Sequence, residues 1–244
     1  MDMIDVQSVK CPHCNHSFDF SSYVGEEPLN SNVRVTKKLI QRTSWEELDS
    51  EISAGRAELI LDVGDKLDIT MKDGTNTSAI VAAINPYGNG VAFSFGNVLK
   101  TARMNQRNTN CGGWVQSKMA SELDESVLPN LPDDLVAVIK DREITQFLDG
   151  KTYAKKSKLW LPSYTEVAGF NELLSRIEKG DVRFPLFKTR SGRVRYTAED
   201  KPSWWWLRSP GVSFATYFWS VSYNGYVTNS SASGANGVCP CFII

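Results

Sequence analysis

The chain has 244 residues, 23% of them charged, and a net charge of −1 at neutral pH. That length can bury a sizeable core, and the balanced charge excludes a global basic field that would attract nucleic acid or anionic lipid. No apolar run reaches the roughly 20 residues of a membrane span, and the N-terminal sequence MDMIDVQSVK lacks the apolar core of a secretory signal. We therefore expect a protein that is made in the cytoplasm, inserts into no membrane and binds no nucleic acid.

The first motif suggests a metal site. Both histidines of the protein and two of its five cysteines fall between residues 11 and 16. A Cys-Pro-x-Cys turn is half of a zinc knuckle, because it points two thiolates at one ion. The candidate ligands of a structural zinc ion are Cys11, Cys14 and His16. The odd cysteine count argues against a disulfide framework.

A tetrahedral zinc site needs four ligands, and the sequence does not decide which residue completes this site. Cys111 or a neighbouring subunit could complete it. So could Cys239 and Cys241, because their spacing would place both sulfurs on one face of a strand. The alternative is a degenerate knuckle that folds by packing of Phe18 and Phe20 alone.

The domain organisation follows from a polar linker at residues 21–32. We predict a zinc-knuckle-like segment with its linker at residues 1–32 and a ligand-binding domain at residues 33–244, entered by a strand at residues 33–39. Ser44 and Glu47 form a capping-box signature, which predicts a helix that buries Leu48 and Ile52 and ends at Gly55.

The next part of the chain reads as β-structure. The pattern predicts strands within residues 57–61, 66–71, 77–84 and 90–95, arranged as an antiparallel meander. The Gly-x-Gly at residues 88–90 joins two of these strands. It is therefore not a dinucleotide loop, which needs a following helix.

The middle of the chain reads as helical. Periodicity predicts helices at residues 115–123, 133–139 and 165–179, with Leu173, Leu174 and Ile177 on one face of the last. Helices between two β portions indicate an α+β fold.

Residues 176–195 are locally basic. One interpretation is a phosphate or nucleic-acid patch with Phe184, Phe187 and Tyr196 available for stacking. A solvated hairpin around Ser191 and Gly192 is favoured instead, because the rest of the chain supplies no basic support.

The C-terminal stretch at residues 209–244 contains no Asp, Glu, Lys, Arg or His, where about eight charges would be expected at the average of the chain. Aromatic rings supply rigid contact area and small polar residues supply adaptable hydrogen bonds, as in antibody paratopes. The stretch is therefore a candidate ligand-binding surface; the alternative is a β-hairpin whose side chains merely cover a core. The candidate binding residues are Ser213, Phe214, Thr216, Tyr217, Phe218, Ser220, Ser222, Tyr223, Tyr226, Thr228, Ser230 and Ser231.

Two motifs bracket this stretch, WWWLRSPG at residues 204–211 and NGVCPCF at residues 236–242. They resemble a bacterial and phage family with a WWLRSPG opening and an NGVRPA-type closing strand, although Cys239 and Cys241 replace the family's Arg and Ala. That family is similar to the C-type-lectin fold, in the branch shared with the formylglycine-generating enzyme and with the variable proteins of diversity-generating retroelements. The resemblance covers roughly residue 61 to the end.

The resemblance implies an α+β, C-type-lectin-like fold in which residues 158–163 form a strand. It also implies that Trp205, Trp206, Arg208 and Pro210 are framework, with Arg208 bonded to loop carbonyls. Retroelement mutagenesis of adenines does not produce tryptophan from an Asn codon, so Trp219 is expected to be scaffold as well.

The resemblance further implies a non-catalytic adhesin or receptor-binding protein, encoded by a phage or prophage and diversified by a retroelement. It would bind a protein or glycan on a cell surface, without calcium, and leave the cytoplasm as part of a virion. A homo-oligomer would add avidity. The absence of histidine outside the knuckle argues against a Ser–His–Asp or Cys–His catalytic set. The alternative function is a structural or scaffolding module with one fixed partner.

Overall fold

The structure is a computed structural model that describes residues 8–10, 17–19, 44–88 and 90–244. Strands β1 (Ser8–Lys10) and β2 (Ser17–Asp19) pair antiparallel. The candidate zinc ligands Cys11, Cys14 and His16 lie outside the described residues, as do the linker and the strand predicted at residues 33–39. The division of the chain at residue 32 therefore stays a prediction.

The helix α1 (Trp45–Ser53) begins at the predicted capping box. The backbone N–H of Glu47 donates to Ser44 Oγ at 3.2 Å, and the N–H of Ser44 donates to Glu47 Oε2 at 2.9 Å. Leu48 and Ile52 are buried in the core. The helix prediction is confirmed, including its end before Gly55, whose φ of 76° favours glycine.

A short helix, α2 (Ala57–Ile60), follows where a strand was expected. Ala57 and Leu61 are both buried, and their spacing of four residues puts them on one side of a helical turn. The strand prediction for residues 57–61 was wrong because these apolar residues alternate too imperfectly to fix a period of two.

The first sheet contains four antiparallel strands in the order β15-β5-β4-β3. The strands are β3 (Lys66–Thr70), β4 (Asn76–Ile84), β5 (Val91–Phe95) and β15 (Cys241–Ile243). The predicted meander of β3, β4 and β5 is confirmed. Phe93 and Phe242 stack with ring centroids 5.2 Å apart, so β15 is packed into the sheet as well as hydrogen-bonded to it.

The second sheet contains five strands in the order β13-β12-β11-β14-β6. They are β6 (Lys100–Arg103), β11 (Trp205–Pro210), β12 (Tyr217–Val221), β13 (Val227–Ser231) and β14 (Ala235–Val238). Neighbours run antiparallel except β11 and β14, which are parallel. Trp205, Trp206, Arg208 and Pro210 are buried, as expected of framework residues.

The middle of the chain is built from short helices and one hairpin. Helix α3 (Lys118–Glu122) continues through a π-helical turn (Leu123–Val127) and a 3₁₀ turn (Leu128–Asn130), and α4 (Asp133–Val138) follows. Strands β7 (Arg142–Leu148) and β8 (Lys151–Ser157) form a two-stranded sheet that was not predicted. The helix expected from residue 115 starts three residues later, because Ser117 Oγ caps it by accepting from the N–H of Ala120.

The expected helix at residues 165–179 is two helices, α5 (Tyr164–Ala168) and α6 (Glu172–Ile177), separated at Gly169. The expected strand at residues 158–163 is reduced to one bridge between Trp160 and Cys241. Each deviation has a local cause: Gly169 has a φ of 97°, which ends a helix, and Pro162 has no N–H to donate to a ladder.

A 3₁₀ turn (Pro185–Lys188) and helix α7 (Arg190–Arg193) come next, and then the strand pair β9 (Arg195–Tyr196) and β10 (Pro202–Ser203). The hairpin expected around Ser191 and Gly192 was wrong. Gly192 N–H donates to Thr189 Oγ1 at 3.1 Å, which caps α7, and a Cβ at Gly192 would lie 2.0 Å from the carbonyl oxygen of Leu186. Glycine is therefore needed here for close packing, not for a turn.

The described chain is thus a mixed α+β protein with antiparallel sheets and a few short helices. Among its described helices, none combines the length and the apolar character that crossing a membrane requires.

Candidate functional site

The structure divides the candidate binding residues by burial. Ser213, Phe214, Tyr223 and Tyr226 are exposed, with 60% of Phe214 accessible to solvent. Five others are partly buried: Thr216, Tyr217, Thr228, Ser230 and Ser231. The remaining three, Phe218, Ser220 and Ser222, are buried.

Phe218, Ser220 and Ser222 were wrongly included among the candidate binding residues. Phe218 lies in the core, Ser220 Oγ lies 3.0 Å from Ser230 Oγ inside the sheet, and Ser222 Oγ accepts from the N–H of Tyr226 at 3.1 Å to shape the β12–β13 turn. Their side chains are therefore committed to the fold and are not accessible to a ligand. Along β12, Phe218 and Ser220 are buried and Tyr217 and Trp219 are partly buried, so the accessible face is the one that carries Trp219.

An apolar pocket of about 250 Å³ lies on that face. One wall is the loop at residues 211–216 between β11 and β12, which contributes Val212 and Phe214. Helix α6 supplies a second wall with Leu173 and Leu174. The floor and rim come from the sheet and complete the pocket with Tyr217, Trp219 and Asn229.

The surface around the pocket is unusually apolar for an exposed region. Leu173, Val212 and Phe214 are all exposed and line the same pocket, and Phe170 just before α6 is 80% exposed. Contiguous exposed apolar side chains mark binding sites more often than scattered ones do. We therefore take this pocket and its rim as the candidate ligand-binding site.

One buried side chain, Asn110, holds the loop of the pocket in place. Its Nδ2 lies 3.0 Å from each of three carbonyl oxygens, those of Gly211, Phe214 and Tyr217. Its backbone N–H donates to the carbonyl of Ala215 at 2.7 Å. The loop is therefore ordered before any ligand arrives, which lowers the entropy cost of binding.

The sheet side of the pocket is supported by an aromatic pair. Tyr164, the first residue of α5, meets Trp219 edge to face with ring centroids 4.5 Å apart. Trp219 is partly buried and also lines the pocket, and its expected role as scaffold stays a prediction. The pair joins β12 to α5, so the pocket cannot widen on this side without separating the two rings.

The edge of the second sheet is open beside the pocket. Ser222 N–H donates to the carbonyl of Tyr226, and Ala232 N–H donates to that of Thr216, both at 2.8 Å. In this antiparallel register the N–H and C=O groups of Val227 and Asn229 point away from β12. Within the described part of the chain no partner meets these groups.

Beneath the pocket lies a buried ionic cluster centred on Arg208. Its guanidinium donates to Glu166 Oε2 at 2.6 Å and to Asp181, and its Nε lies 3.4 Å from Glu178 Oε1. Arg142 donates to Glu166 Oε1 at 2.5 Å and to Asp181 Oδ1 at 2.8 Å. The cluster joins β11, β7, α5 and the end of α6 in one network.

Arg208 also donates to the carbonyl of Leu161 at 3.0 Å, so its predicted bond to a loop carbonyl is confirmed. The three carboxylates were not predicted. Because Ser209 donates to Glu178 and Gly211 follows two residues later, the cluster fixes the start of the pocket loop.

Charge and burial set the protonation of the cluster. Burial raises the pKa of Glu166, but the charges of Arg208 and Arg142 outweigh it and lower the pKa to about 2. Burial raises the pKa of Glu178 to about 7, because only Arg208 opposes it strongly while Asp181 adds to it. Two guanidiniums thus face three carboxylates, and a proton on Glu178 makes the cluster neutral.

A second cavity of about 240 Å³ opens on the outer side of this cluster, lined by Tyr87, Arg142, Lys179 and Asp181 among others. Tyr87 donates to Glu166 Oε1 at 2.6 Å, and its ring lies 3.9 Å below the Arg142 guanidinium. Arg142, Asp181 and Arg208 of this cavity are thus already paired within the ionic cluster, which leaves the apolar pocket as the stronger candidate for a ligand.

The basic segment at residues 176–195 does not form the stacking surface that was considered. Phe184 and Phe187 are fully buried, and only Tyr196 of the three aromatic residues is exposed. Stacking of bases on these rings would require the core to open.

Cys239 and Cys241 do not share a strand, because β14 ends at Val238 and β15 starts at Cys241. Both thiols are buried, and burial raises the pKa of Cys239 to about 12. Cys239 Sγ faces the carbonyl of Asn97 at 3.5 Å. In the segments that the structure describes, no cluster of His, Cys, Asp and Glu is suited to hold a metal; the zinc site proposed at Cys11, Cys14 and His16 lies outside them.

The residues of the apolar pocket, Asn110 and the ionic cluster all lie in the part of the chain that one sequence-family model matches. A family model described as "Domain of unknown function (DUF6273)" matches residues 89–244, which is more than half of the chain. The chain belongs to this family. No curated protein and no solved structure matches it.

The DUF6273 region does not coincide with a complete structural unit. It includes β5 and β15 but excludes β3 and β4, which complete the same sheet. All residues of the apolar pocket lie inside it. The candidate site is therefore a property of the DUF6273 region, while part of the core that supports it comes from earlier residues.

Sequence reasoning missed four parts of the site: Asn110, Val212, the α6 wall and Asn229. Leu173 and Leu174 are adjacent in α6, so both cannot face the core, and the exposed one could have been recognised as a surface contact. Asn110 gave no such signal, because a single asparagine before a glycine pair reads as an ordinary turn residue.

Proposed function

We propose that this protein is a non-catalytic ligand-binding protein with a C-type-lectin-like domain, and that the apolar pocket and its exposed rim bind a protein or glycan on a cell surface. We further propose that it is encoded by a phage or prophage and that a retroelement diversifies the rim. A structural zinc ion at Cys11, Cys14 and His16 and a homo-oligomer belong to the same proposal.

One observation carries the binding function: an exposed, uncharged, aromatic loop is held rigidly over an apolar pocket. Three carbonyls of the loop lie 3.0 Å from Asn110 Nδ2, and Phe214 nevertheless points into solvent. The Phe214 ring meets Tyr217 edge to face, and the 60% of it that stays exposed contributes little to the stability of the fold. A binding surface gains contact area at low entropy cost.

The division by burial supports display of variable residues. Ser213, Phe214, Tyr223 and Tyr226 are exposed, so their side chains can change without disturbing the core. A scaffold of buried residues holds them, as a diversified surface requires.

The non-catalytic part of the proposal rests on the pairing of the buried carboxylates. Glu166 and Asp181 each contact two guanidiniums, and Glu178 is engaged by Arg208, Ser209 and Gln146. Carboxylates held in this way stabilise the fold and do not face the apolar pocket.

The test is to sequence the 3′ end of the gene and its flanks in related isolates. We expect a template copy whose adenines fall on the codons of Ser213, Phe214, Tyr223 and Tyr226. The codons of Phe218, Ser220, Ser222 and Trp219 should stay constant. Substitutions spread evenly over exposed and buried positions, with no template, would contradict display and favour a module with one fixed partner.

A further inference from the structure

The open edge of β13 and the apolar pocket share one residue. Asn229 contributes its side chain to the pocket, and its backbone N–H and C=O point outward from the sheet. Val227, two residues earlier, presents the same two groups in the same direction. A ligand seated in the pocket therefore lies next to a row of unpaired backbone donors and acceptors.

We propose that this site binds an extended peptide segment, which adds to β13 as a further strand and places one aromatic side chain in the apolar pocket. The inference rests on the proposed function, because it names the ligand class of the same surface. Donors and acceptors that repeat every second residue match the backbone of another strand. Side-chain pockets beside such an edge then select the sequence that binds.

The dimensions of the pocket fit an aromatic ring. An apolar cavity of about 150 Å³ is enough to hold benzene, and this pocket measures about 250 Å³. Its walls at Leu173, Leu174 and Val212 are aliphatic, and Trp219 offers a ring. None of the described residues that line it is Asp, Glu, Lys, Arg or His, so a charged side chain would enter without a partner among them and would incur its desolvation cost in full.

The positive charge of Arg190 beside the edge of β13 adds a second requirement for the sequence of the bound peptide. At the Tyr226 end of β13 the guanidinium carbon of Arg190 lies 4.2 Å from the centre of the Tyr226 ring. No carboxylate lies within 4.0 Å of Arg190 among residues 44–88 and 90–244. The same holds for Arg193 at the other end of α7 and for Arg183, which precedes the 3₁₀ turn. An acidic residue in the bound segment, on the side of its aromatic residue that faces Arg190, would complement this charge.

The test uses the full chain against a yeast-displayed library of random linear peptides, followed by fluorescence anisotropy with the selected peptides. We expect enrichment of peptides with one aromatic residue and a nearby acidic residue. Asn229→Pro removes the outward N–H but no hydrogen bond to β12, so the hairpin should still form. We expect it to weaken binding about tenfold or more, because it removes one backbone hydrogen bond and obstructs its neighbours.

The matched comparison is Asn229→Ala, which removes the same side chain from the pocket but keeps the backbone N–H, so we expect Asn229→Pro to bind about tenfold or more weakly than Asn229→Ala. Arg190→Gln should reduce affinity for the acidic peptides and flatten its dependence on salt. If Asn229→Pro does not fold, the selected peptide is instead N-methylated at alternate amides. This removes the peptide N–H groups that would donate to the β13 carbonyls, so the methylated peptide should bind more weakly.

Full binding by Asn229→Pro or by the methylated peptide would overturn the inference, and so would an empty peptide selection alongside specific signals on a glycan array. Pairing of β13 with a second copy of the chain, seen as a dimer that Asn229→Pro dissociates, would also overturn it. Leu173→Glu separates the two proposals. Loss of binding in Leu173→Glu but not in Asn229→Pro would keep the proposed function and reject the added strand, whereas no effect of either would reject both.

Discussion

At the scale of single residues, the buried cluster around Arg208 is balanced by the protonation of one carboxyl group. Arg208 and Arg142 neutralise Glu166 and Asp181, and Glu178 is the group left over. Its pKa of about 7 follows from burial that a single guanidinium does not offset. The cluster therefore makes stability sensitive to pH near neutrality, and a single substitution isolates the effect.

We expect Glu178→Gln to change how stability depends on pH. The pKa of Glu178 is raised in the folded protein above its ordinary value of 4.5, so its contribution to stability is full below about pH 4.5 and is lost as the pH rises through 7. Glutamine cannot lose a proton. The free energy of unfolding in urea, measured at pH 5 and pH 8, should fall by on the order of 2 to 3 kcal/mol more in the unchanged chain than in the variant.

The control for this experiment is Glu172→Gln, which removes an exposed carboxylate paired with Arg176. It should leave the difference between the two pH values as it is in the unchanged chain. Equal pH dependence in Glu178→Gln and in the unchanged chain would show that Glu178 is ionised throughout. Glu166 affects the free energy of unfolding in a separate pH range. Its pKa is lowered to about 2 in the folded protein, so its contribution is full above pH 4.5 and is lost as the pH falls toward 2.

Arg208→Met should be strongly destabilising. It leaves Glu166, Glu178 and Asp181 buried with only Arg142 to oppose their charge, and breaking a buried ion pair costs about 3 to 5 kcal/mol. The urea midpoint measures the loss. Arg176→Ala, which removes an exposed guanidinium from an i,i+4 pair, should cost no more than about 0.5 kcal/mol. Similar losses in the two variants would contradict a structural role for the cluster.

At the scale of elements, the pocket depends on a loop that is held from outside itself. The loop at residues 211–216 has two hydrogen bonds of its own, from Gly211 N–H to the carbonyl of Tyr217 and from Tyr217 N–H to that of Phe214. Its remaining hydrogen bonds come from Ala232, whose N–H donates to the carbonyl of Thr216, and from Asn110, which lies far away in sequence. Rigidity in the binding surface is therefore supplied by a residue that no ligand touches.

Asn110→Ala should loosen this loop without unfolding the domain. Three carbonyls lose a hydrogen-bond contact in a partly buried site, although those of Phe214 and Tyr217 keep a backbone donor, so we expect a loss of about 1 to 3 kcal/mol in stability. Hydrogen exchange at Gly211 and Tyr217 should accelerate more than exchange in β4. Asn108→Ala is the control, because Asn108 Oδ1 accepts one exposed bond, from Ser231 Oγ at 2.6 Å. Unchanged exchange in Asn110→Ala would show that the loop holds itself.

The elements also show what the sequence could and could not predict. Helix α1 was predictable because both halves of its capping box are local, and β3 to β5 because alternation and turns agree there. The β7–β8 hairpin carried a signal that was overlooked: Asp149 and Gly150 form its turn with φ values of 50° and 73°. The pocket was not predictable, since its walls come from α6, a loop and β13, and their meeting depends on tertiary packing.

The binding surface stays a prediction, and the structure changes which of its candidate residues are accessible. Composition distinguishes an uncharged aromatic stretch, but it cannot tell which alternate residues point outward. Phe218 and Ser220 were included for their residue types, and the second sheet buries both. The missing information is what packs on each side of β12, which only the rest of the chain supplies.

At the scale of the whole molecule, the first sheet crosses the boundary of the sequence family. Strand β4, before residue 89, pairs with β5 along most of its length and contributes buried Ala79, Val81 and Ala83. Removal of residues before 89 would expose one side of β5 and remove these residues from the core. The family region and the folding unit are therefore different lengths of chain.

We expect a fragment of residues 44–244 to unfold in one cooperative transition, because it contains the whole described core. A fragment of residues 89–244 should be aggregated or lack a cooperative transition. Circular dichroism during thermal unfolding, with size-exclusion chromatography of both fragments, measures the difference. Cooperative unfolding of the shorter fragment would show that β3 and β4 are dispensable.

The pairing of β15 with β5 also has a consequence for synthesis on the ribosome. Phe242 stacks on Phe93, and Cys241–Ile243 completes the sheet only after the helices, the loop and the hairpin of the second sheet have been made. At ordinary translation rates that interval is on the order of ten seconds. During this interval the edge of β5 opposite β4, which β15 later covers, has no strand beside it. Chaperones bind such apolar edges in nascent chains, and neighbouring copies on a polysome can pair with them.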